Sequence, residues 1–85
     1  MEFQVYRQWQ ELPPAVEAGV EELLVEAFPV EERRDMAEMR QLLGSSSMEL
    51  LTLEEGTQVR GLLILWNVEE MVFLENFAVT PSLRG

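Results

Sequence analysis

The 85-residue sequence has no cysteine and no histidine. Disulfide bonds, thiol nucleophiles, imidazole bases and zinc sites built from these residues are therefore excluded, and we predict no metal site. Lysine is missing as well: six arginines stand against sixteen acidic residues, which gives a net charge of −10. Because a nucleic-acid backbone is anionic and requires a basic surface, this charge argues against nucleic acid as a partner.

Long apolar runs and a secretory signal are also missing. No stretch approaches the roughly 20 apolar residues of a transmembrane helix, and the N-terminus lacks the features of a signal peptide. We therefore expect a cytoplasmic protein without membrane contact. The acidic balance is explained by solubility or, alternatively, by attraction of a cationic substrate. At 47% hydrophobic residues, the chain can build the core of one small domain.

A strand and two helices are predicted in the first half of the chain. Alternation over residues 2–9 indicates a short strand with apolar residues on one face (Phe3, Val5, Trp9). Pro13 and Pro14 open a helix that ends before Pro29. Its apolar stripe consists of Val16, Val20, Leu23, Leu24, Ala27 and Phe28. A second helix is predicted over residues 31–43, with Met36, Met39 and Leu43 buried and Gly44 as its stop.

Three strands are predicted in the second half, over residues 48–54, 59–66 and 71–80. Glu55 and Gly56 form the first hairpin turn, because glycine readily adopts a positive φ. The last two strands are apolar on both faces, which is typical of central strands. The prediction is an α+β fold of strand, two helices and three strands, with a mostly antiparallel sheet. Two helices cannot cover both faces of such a sheet, so the fold is expected to be partial.

The segment from Phe73 to Gly85 resembles the GCN5-related N-acetyltransferase (GNAT) superfamily. In that family an apolar-Ala-Val run ends the fourth strand, a turn containing proline follows, and Arg or Gln opens a glycine-rich pyrophosphate loop. Arg84 and Gly85 match the first two loop positions. The element order and the segment from Ala27 to Arg33 also resemble the family's first half. The resemblance implies that residues 1–85 form one partial GNAT domain, its N-terminal half, with the second half absent.

The resemblance also implies an acetyl-CoA site at the end of the fourth strand. Backbone groups of Phe77, Ala78 and Val79 would pair with the pantetheine arm, while Arg84 and Gly85 would begin the anion site for the pyrophosphate. The side chains of Phe77 and Val79 are expected in the core.

The family resemblance makes Glu75 the candidate base. A carboxylate between two aromatic residues is expected to be partly buried, and burial makes a carboxylate more basic. The alternative is a solvated or salt-bridged glutamate. The acceptor amine would enter at the junction between the helices, where Phe28, Glu31 and Arg33 are the candidate binding residues. The alternative there is a solvated helix start with Glu–Arg pairs. The family's general acid would lie in the absent half, since Tyr6 does not match that role.

Two functions of different class follow. The first is an N-acetyltransferase that transfers acetyl from acetyl-CoA to a primary amine, small or peptidic, with the 85-residue chain inactive by itself. The second is a non-catalytic half-domain that acts as an interaction or oligomerisation module and self-associates through its open sheet edge.

Overall fold

The computed structural model describes residues 1–84 and has the predicted order of elements. The strands are β1 (Glu2–Tyr6), β2 (Met48–Glu55), β3 (Gln58–Val68) and β4 (Met71–Val79), and the helices are α1 (Pro14–Ala27) and α2 (Met36–Leu42). Short 3-10 turns lie at Trp9–Glu11, Val30–Glu32 and Pro81–Leu83. The α+β prediction is confirmed. No helix within the described residues is long and apolar enough to cross a membrane.

The four strands form one antiparallel sheet in the order β1-β2-β3-β4. One row of paired residues crosses it, from Tyr6 through Leu50 and Ile64 to Asn76, and all four side chains are buried. This face packs on α1, which buries the stripe Val16, Val20, Leu23 and Leu24, and on Met39 of α2. The last two strands, which the sequence predicts as central, differ in position: β3 is an inner strand, whereas β4 lies at the edge of the sheet among residues 1–84.

The opposite face of the sheet is uncovered in the described residues. Its side chains include Phe3, Leu74 and Phe77, which are 77%, 67% and 67% exposed. The predicted partial covering of the sheet therefore holds, but the prediction that Phe77 packs in the core is wrong. Val79, also predicted in the core, is half-buried and lies on this same uncovered face. Nor does the first strand reach Trp9, which lies in a 3-10 turn.

The second helix begins at Met36, five residues later than predicted. Asp35 caps it, because its Oδ1 accepts a hydrogen bond from the backbone N–H of Glu38 at 2.8 Å. Residues 30–32 form a separate 3-10 turn, and Arg33 has extended backbone (φ −135°). The chain thus passes from α1 to α2 through a segment that lies against β4 rather than through a continuous helix.

Candidate functional site

A β-bulge sets the direction of the Glu75 side chain. Ile64 pairs with Asn76, and the next residue of β3, Leu65, pairs with Leu74, so that Glu75 is the extra residue of β4. A bulge re-aims side chains relative to strict alternation. Here it directs Glu75 to Trp66 and to Arg34, on the helix-covered side of the sheet. The strict alternation predicted for β4 is therefore wrong at this residue.

The Glu75 carboxylate accepts hydrogen bonds from two side chains. The indole Nε1 of Trp66 lies 3.0 Å from Oε1. Arg34 binds both oxygens, with Nη2 2.9 Å from Oε1 and Nε 2.9 Å from Oε2. Hydrogen bonding to Glu75 raises the pKa of Arg34, although burial opposes this shift. Glu75 is thus salt-bridged, the alternative that the sequence left open, with 23% of its side chain exposed.

A polar pocket of about 290 Å³ surrounds this ion pair. It is lined by Glu31, Glu32, Arg33, Arg34, Glu38, Glu75 and Asn76. Two predicted acceptor residues, Glu31 and Arg33, are therefore brought together with Glu75. Phe28 is not: its side chain packs against the hydrophobic core, and its carbonyl accepts a hydrogen bond from Arg33 Nη1. Four carboxylates face two guanidinium groups in this pocket, which favours a cationic ligand.

Asn76 fixes the pocket to the sheet. It is 7% exposed, and its Nδ2 donates to the backbone carbonyl of Glu32 at 3.2 Å. A buried amide without a partner would cost folding free energy, so this bond holds the 3-10 turn against β4.

The predicted acetyl-CoA residues lie at the end of β4. Phe77, Ala78 and Val79 pair with β3 along one edge of the strand, and the other edge has no strand partner among residues 1–84. The Ala78 side chain is buried, whereas those of Phe77 and Val79 line a cavity of about 250 Å³ on the uncovered face. Free backbone groups at a strand edge suit the two amides of a pantetheine arm.

Arg84 folds back onto the protein at this point. Its Nε donates to the Val79 carbonyl at 2.9 Å, and its Nη2 lies 2.6 Å from Glu26 Oε2 at the end of α1. Gly85, the other residue predicted for the pyrophosphate loop, lies outside the described residues. Arg84, five residues after the end of β4, thus contacts both the strand end and α1.

One comparison with solved structures identifies the fold. No family model matches the sequence, and no curated protein does. A solved structure titled "Putative acetyltransferase from GNAT family", from Bacteroides thetaiotaomicron, matches 100% of this chain with a TM-score of 0.80 and 27% sequence identity. The chain has the fold of a partial GNAT domain. It spans 47% of the length of that structure.

The roles of three further residues in the candidate site become visible only in the structure. The sequence pattern places Trp66 and Asn76 in strands without a further role, and Arg34 is not among the candidate binding residues named from the sequence. The hairpin places Trp66 beside Glu75, nine residues later, and Arg34 is 41 residues from Glu75 in sequence. The Asp35-x-x-Glu38 spacing was an available signal that the segment before α2 is not helical. No group of three or more acidic residues among residues 1–84 could hold a metal ion.

Proposed function

We propose that this chain forms part of an N-acetyltransferase that transfers acetyl from acetyl-CoA to a primary amine. The observation that carries this proposal is the match of the whole chain to a GNAT-family structure at a TM-score of 0.80. The acidic pocket at Glu75 supports it independently, because a primary amine is cationic at neutral pH and is attracted to an excess of carboxylates.

Different residues on and after β4 would bind acetyl-CoA and the acceptor amine. The free edge from Phe77 to Val79 would bind the pantetheine arm, and Arg84 would leave Glu26 to reach a phosphate. Acetyl-CoA supplies the activated acyl group as a thioester. Because Glu75 precedes Phe77 by two residues, the amine-binding carboxylate and the start of the pantetheine-binding edge are separated by roughly 7 Å along the strand.

Glu75 would bind the acceptor's ammonium and remove its proton. The proton passes from the amine nitrogen to Glu75 Oε2, which accepts only from Arg34 in this structure, whereas Oε1 also accepts from Trp66. The nitrogen would then attack the thioester carbonyl, so that a C–N bond forms and the C–S bond breaks. CoA would leave as the thiol, because its thiolate takes up the second proton that the nitrogen loses on becoming an amide. Trp66 keeps the carboxylate oriented during this transfer.

A test of the proposed function uses Glu75→Gln in the full-length product of the gene that carries this chain. We expect the acetylation rate to fall about 100-fold, since a positioned general base contributes at least that factor. The loss should be largest at low pH, where little free amine exists in solution, and acetyl-CoA affinity should be unchanged. Glu70→Gln, in the exposed turn between β3 and β4, is the matched control. A normal pH–rate profile in Glu75→Gln would remove Glu75 from the mechanism.

The second candidate function is a non-catalytic interaction module. The uncovered sheet face favours it, because Phe3, Leu74 and Phe77 form an exposed apolar surface of the kind that marks protein interfaces. The free edge of β4 adds unpaired backbone groups beside this surface. A second copy of this chain could cover both. Binding of acetyl-CoA by the full-length product distinguishes the enzyme from the module.

A further inference from the structure

Arg34 lies between two carboxylates of the polar pocket. Its Nε and Nη2 contact Glu75 at 2.9 Å each, while its Nη1 lies 3.4 Å from Glu38 Oε2. One third of the Arg34 side chain is exposed, and so is half of the Glu38 side chain (33% and 51%). Glu38 therefore offers Arg34 a second carboxylate partner when a competing cation takes its contacts to Glu75.

The fold does not depend on the Arg34–Glu75 pair to hold the interhelical segment on the sheet. The buried bond from Asn76 to the Glu32 carbonyl already provides that attachment. Trp66 independently orients Glu75 through its indole N–H, at 3.0 Å. If Arg34 moved away, the carboxylate would therefore stay in place, with Oε2 free of any partner in the described structure.

The bidentate pair blocks Glu75 toward any other cation. Both carboxylate oxygens accept from the guanidinium, which satisfies the charge and most of the lone pairs. The neighbouring Arg33 cannot take over this role, because it donates to the Phe28 carbonyl. An ammonium group can thus reach Glu75 only in exchange for Arg34.

We propose that Arg34 occupies the place of the acceptor's ammonium group on Glu75, and that a primary amine binds by displacing Arg34 toward Glu38. This inference rests on the proposed acceptor site at Glu75. It implies that the amine must supply N–H donors as well as charge, because it replaces N–H donors. A quaternary ammonium of the same charge cannot do so.

The displacement can be observed without acetyl transfer. The 85-residue chain, labelled with ¹⁵N, is titrated with n-butylammonium while the indole N–H and arginine Nε–H resonances are followed by NMR. We expect the resonances of Trp66 and Arg34 to shift together. Arg40 and Trp9 form an internal control, because Arg40 pairs with Glu17 at 2.9 Å and lies 5.6 Å from the Trp9 ring centroid, as Arg34 does from Trp66. Butyltrimethylammonium should move neither pair. Static Trp66 and Arg34 resonances during the butylammonium titration would overturn the proposal.

Substitution of Arg34 tests the competition directly. Arg34→Gln removes the internal competitor, so we expect it to bind n-butylammonium about tenfold more tightly than the unmodified chain, and adding Glu75→Gln should abolish this gain. Arg34→Lys, whose ammonium lacks the planar pair of parallel N–H donors of the guanidinium, should give a smaller gain. Arg40→Gln should bind as the unmodified chain does. Equal or weaker binding by Arg34→Gln overturns the proposal, and if that variant does not fold, the same comparison with Arg34→Lys decides.

Failure of this inference is distinguishable from failure of the proposed function. If n-butylammonium displaces Arg34 but the full-length product transfers no acetyl group, the exchange at Glu75 stands and the acetyltransferase proposal fails. If acetyl transfer occurs and Arg34→Gln leaves the KM for the amine unchanged, the acetyltransferase proposal stands and the exchange is refuted.

Discussion

The phenol of Tyr6 offers a direct test of the packing between β1 and β2. Its hydroxyl donates to Glu54 Oε2 at 2.7 Å, and the side chain is 8% exposed. Burial, followed by the hydrogen bond to Glu54, raises the pKa of Tyr6 to about 12. The unfolded chain should ionise near the ordinary tyrosine pKa of about 10.

The raised pKa makes stability depend on pH in a defined window. Below about pH 10 the phenol is protonated in both states, and its contribution to folding is fully present. As the pH rises from about 10 to 12, the unfolded chain ionises first, so that about 3 kcal/mol of the free energy of unfolding is lost. No other type of side chain that ordinarily titrates between pH 8 and 12 is present, because the sequence has no lysine, no cysteine and one tyrosine. Arginine stays protonated there.

Urea unfolding between pH 8 and 12, followed by circular dichroism, measures this loss. Tyr6→Phe should remove the pH dependence and, at neutral pH, lower the free energy of unfolding by about 1.5 kcal/mol through the missing bond to a charged acceptor. Phenolate absorbance of the native chain gives the folded-state pKa independently. A native pKa near 10, or an equal loss of stability in Tyr6→Phe, would refute the reasoning.

Three further outcomes are expected. Gly19→Ala should lower the free energy of unfolding by about 1 kcal/mol, because the new Cβ would lie 2.8 Å from Val59 Cγ2. This overpacking outweighs the gain in helix propensity. Urea unfolding measures the change, and a stabilised variant would contradict this explanation. Glu69→Gly should raise the free energy of unfolding by about 0.5 kcal/mol, because Glu69 has a φ of 57°, which glycine adopts without strain. A drop in melting temperature would count against this explanation. Self-association by sedimentation should weaken in Phe77→Ser, since the 67% exposed ring would be covered in a dimer; an unchanged association constant would exclude that face.

The elements of this fold were predictable because they follow local rules. The stripe from Val16 to Leu24 has helical spacing, and Gly56, with a φ of 62°, marks the first hairpin. The start of α2 was missed because Glu31 and Glu32 suit the first turn of a helix equally well. The Asp35 cap decided between the two possible starts.

The candidate site was less predictable because it depends on register and on distant pairing. Strict alternation assigns Glu75 to a face, and a single bulge changes that face. The partner of Glu75 comes from a segment 41 residues earlier. Whether a sheet face is covered depends on the arrangement of all the elements, which local sequence does not give. The apolar character of Phe77 therefore predicts burial, whereas its ring lies exposed.

Calorimetric titration of acetyl-CoA into the full-length product tests the central proposal most directly. We expect one acetyl-CoA to bind per chain, with unchanged affinity in Glu75→Gln, because the strand edge from Phe77 to Val79 binds through its backbone. Because the 85-residue chain spans 47% of the matched structure, we expect it alone to show no measurable binding. Losing three charge-assisted hydrogen bonds at about 1.5–3 kcal/mol each weakens affinity by roughly three orders of magnitude or more. Absence of binding by the full-length product would contradict the acetyltransferase proposal and favour the interaction module.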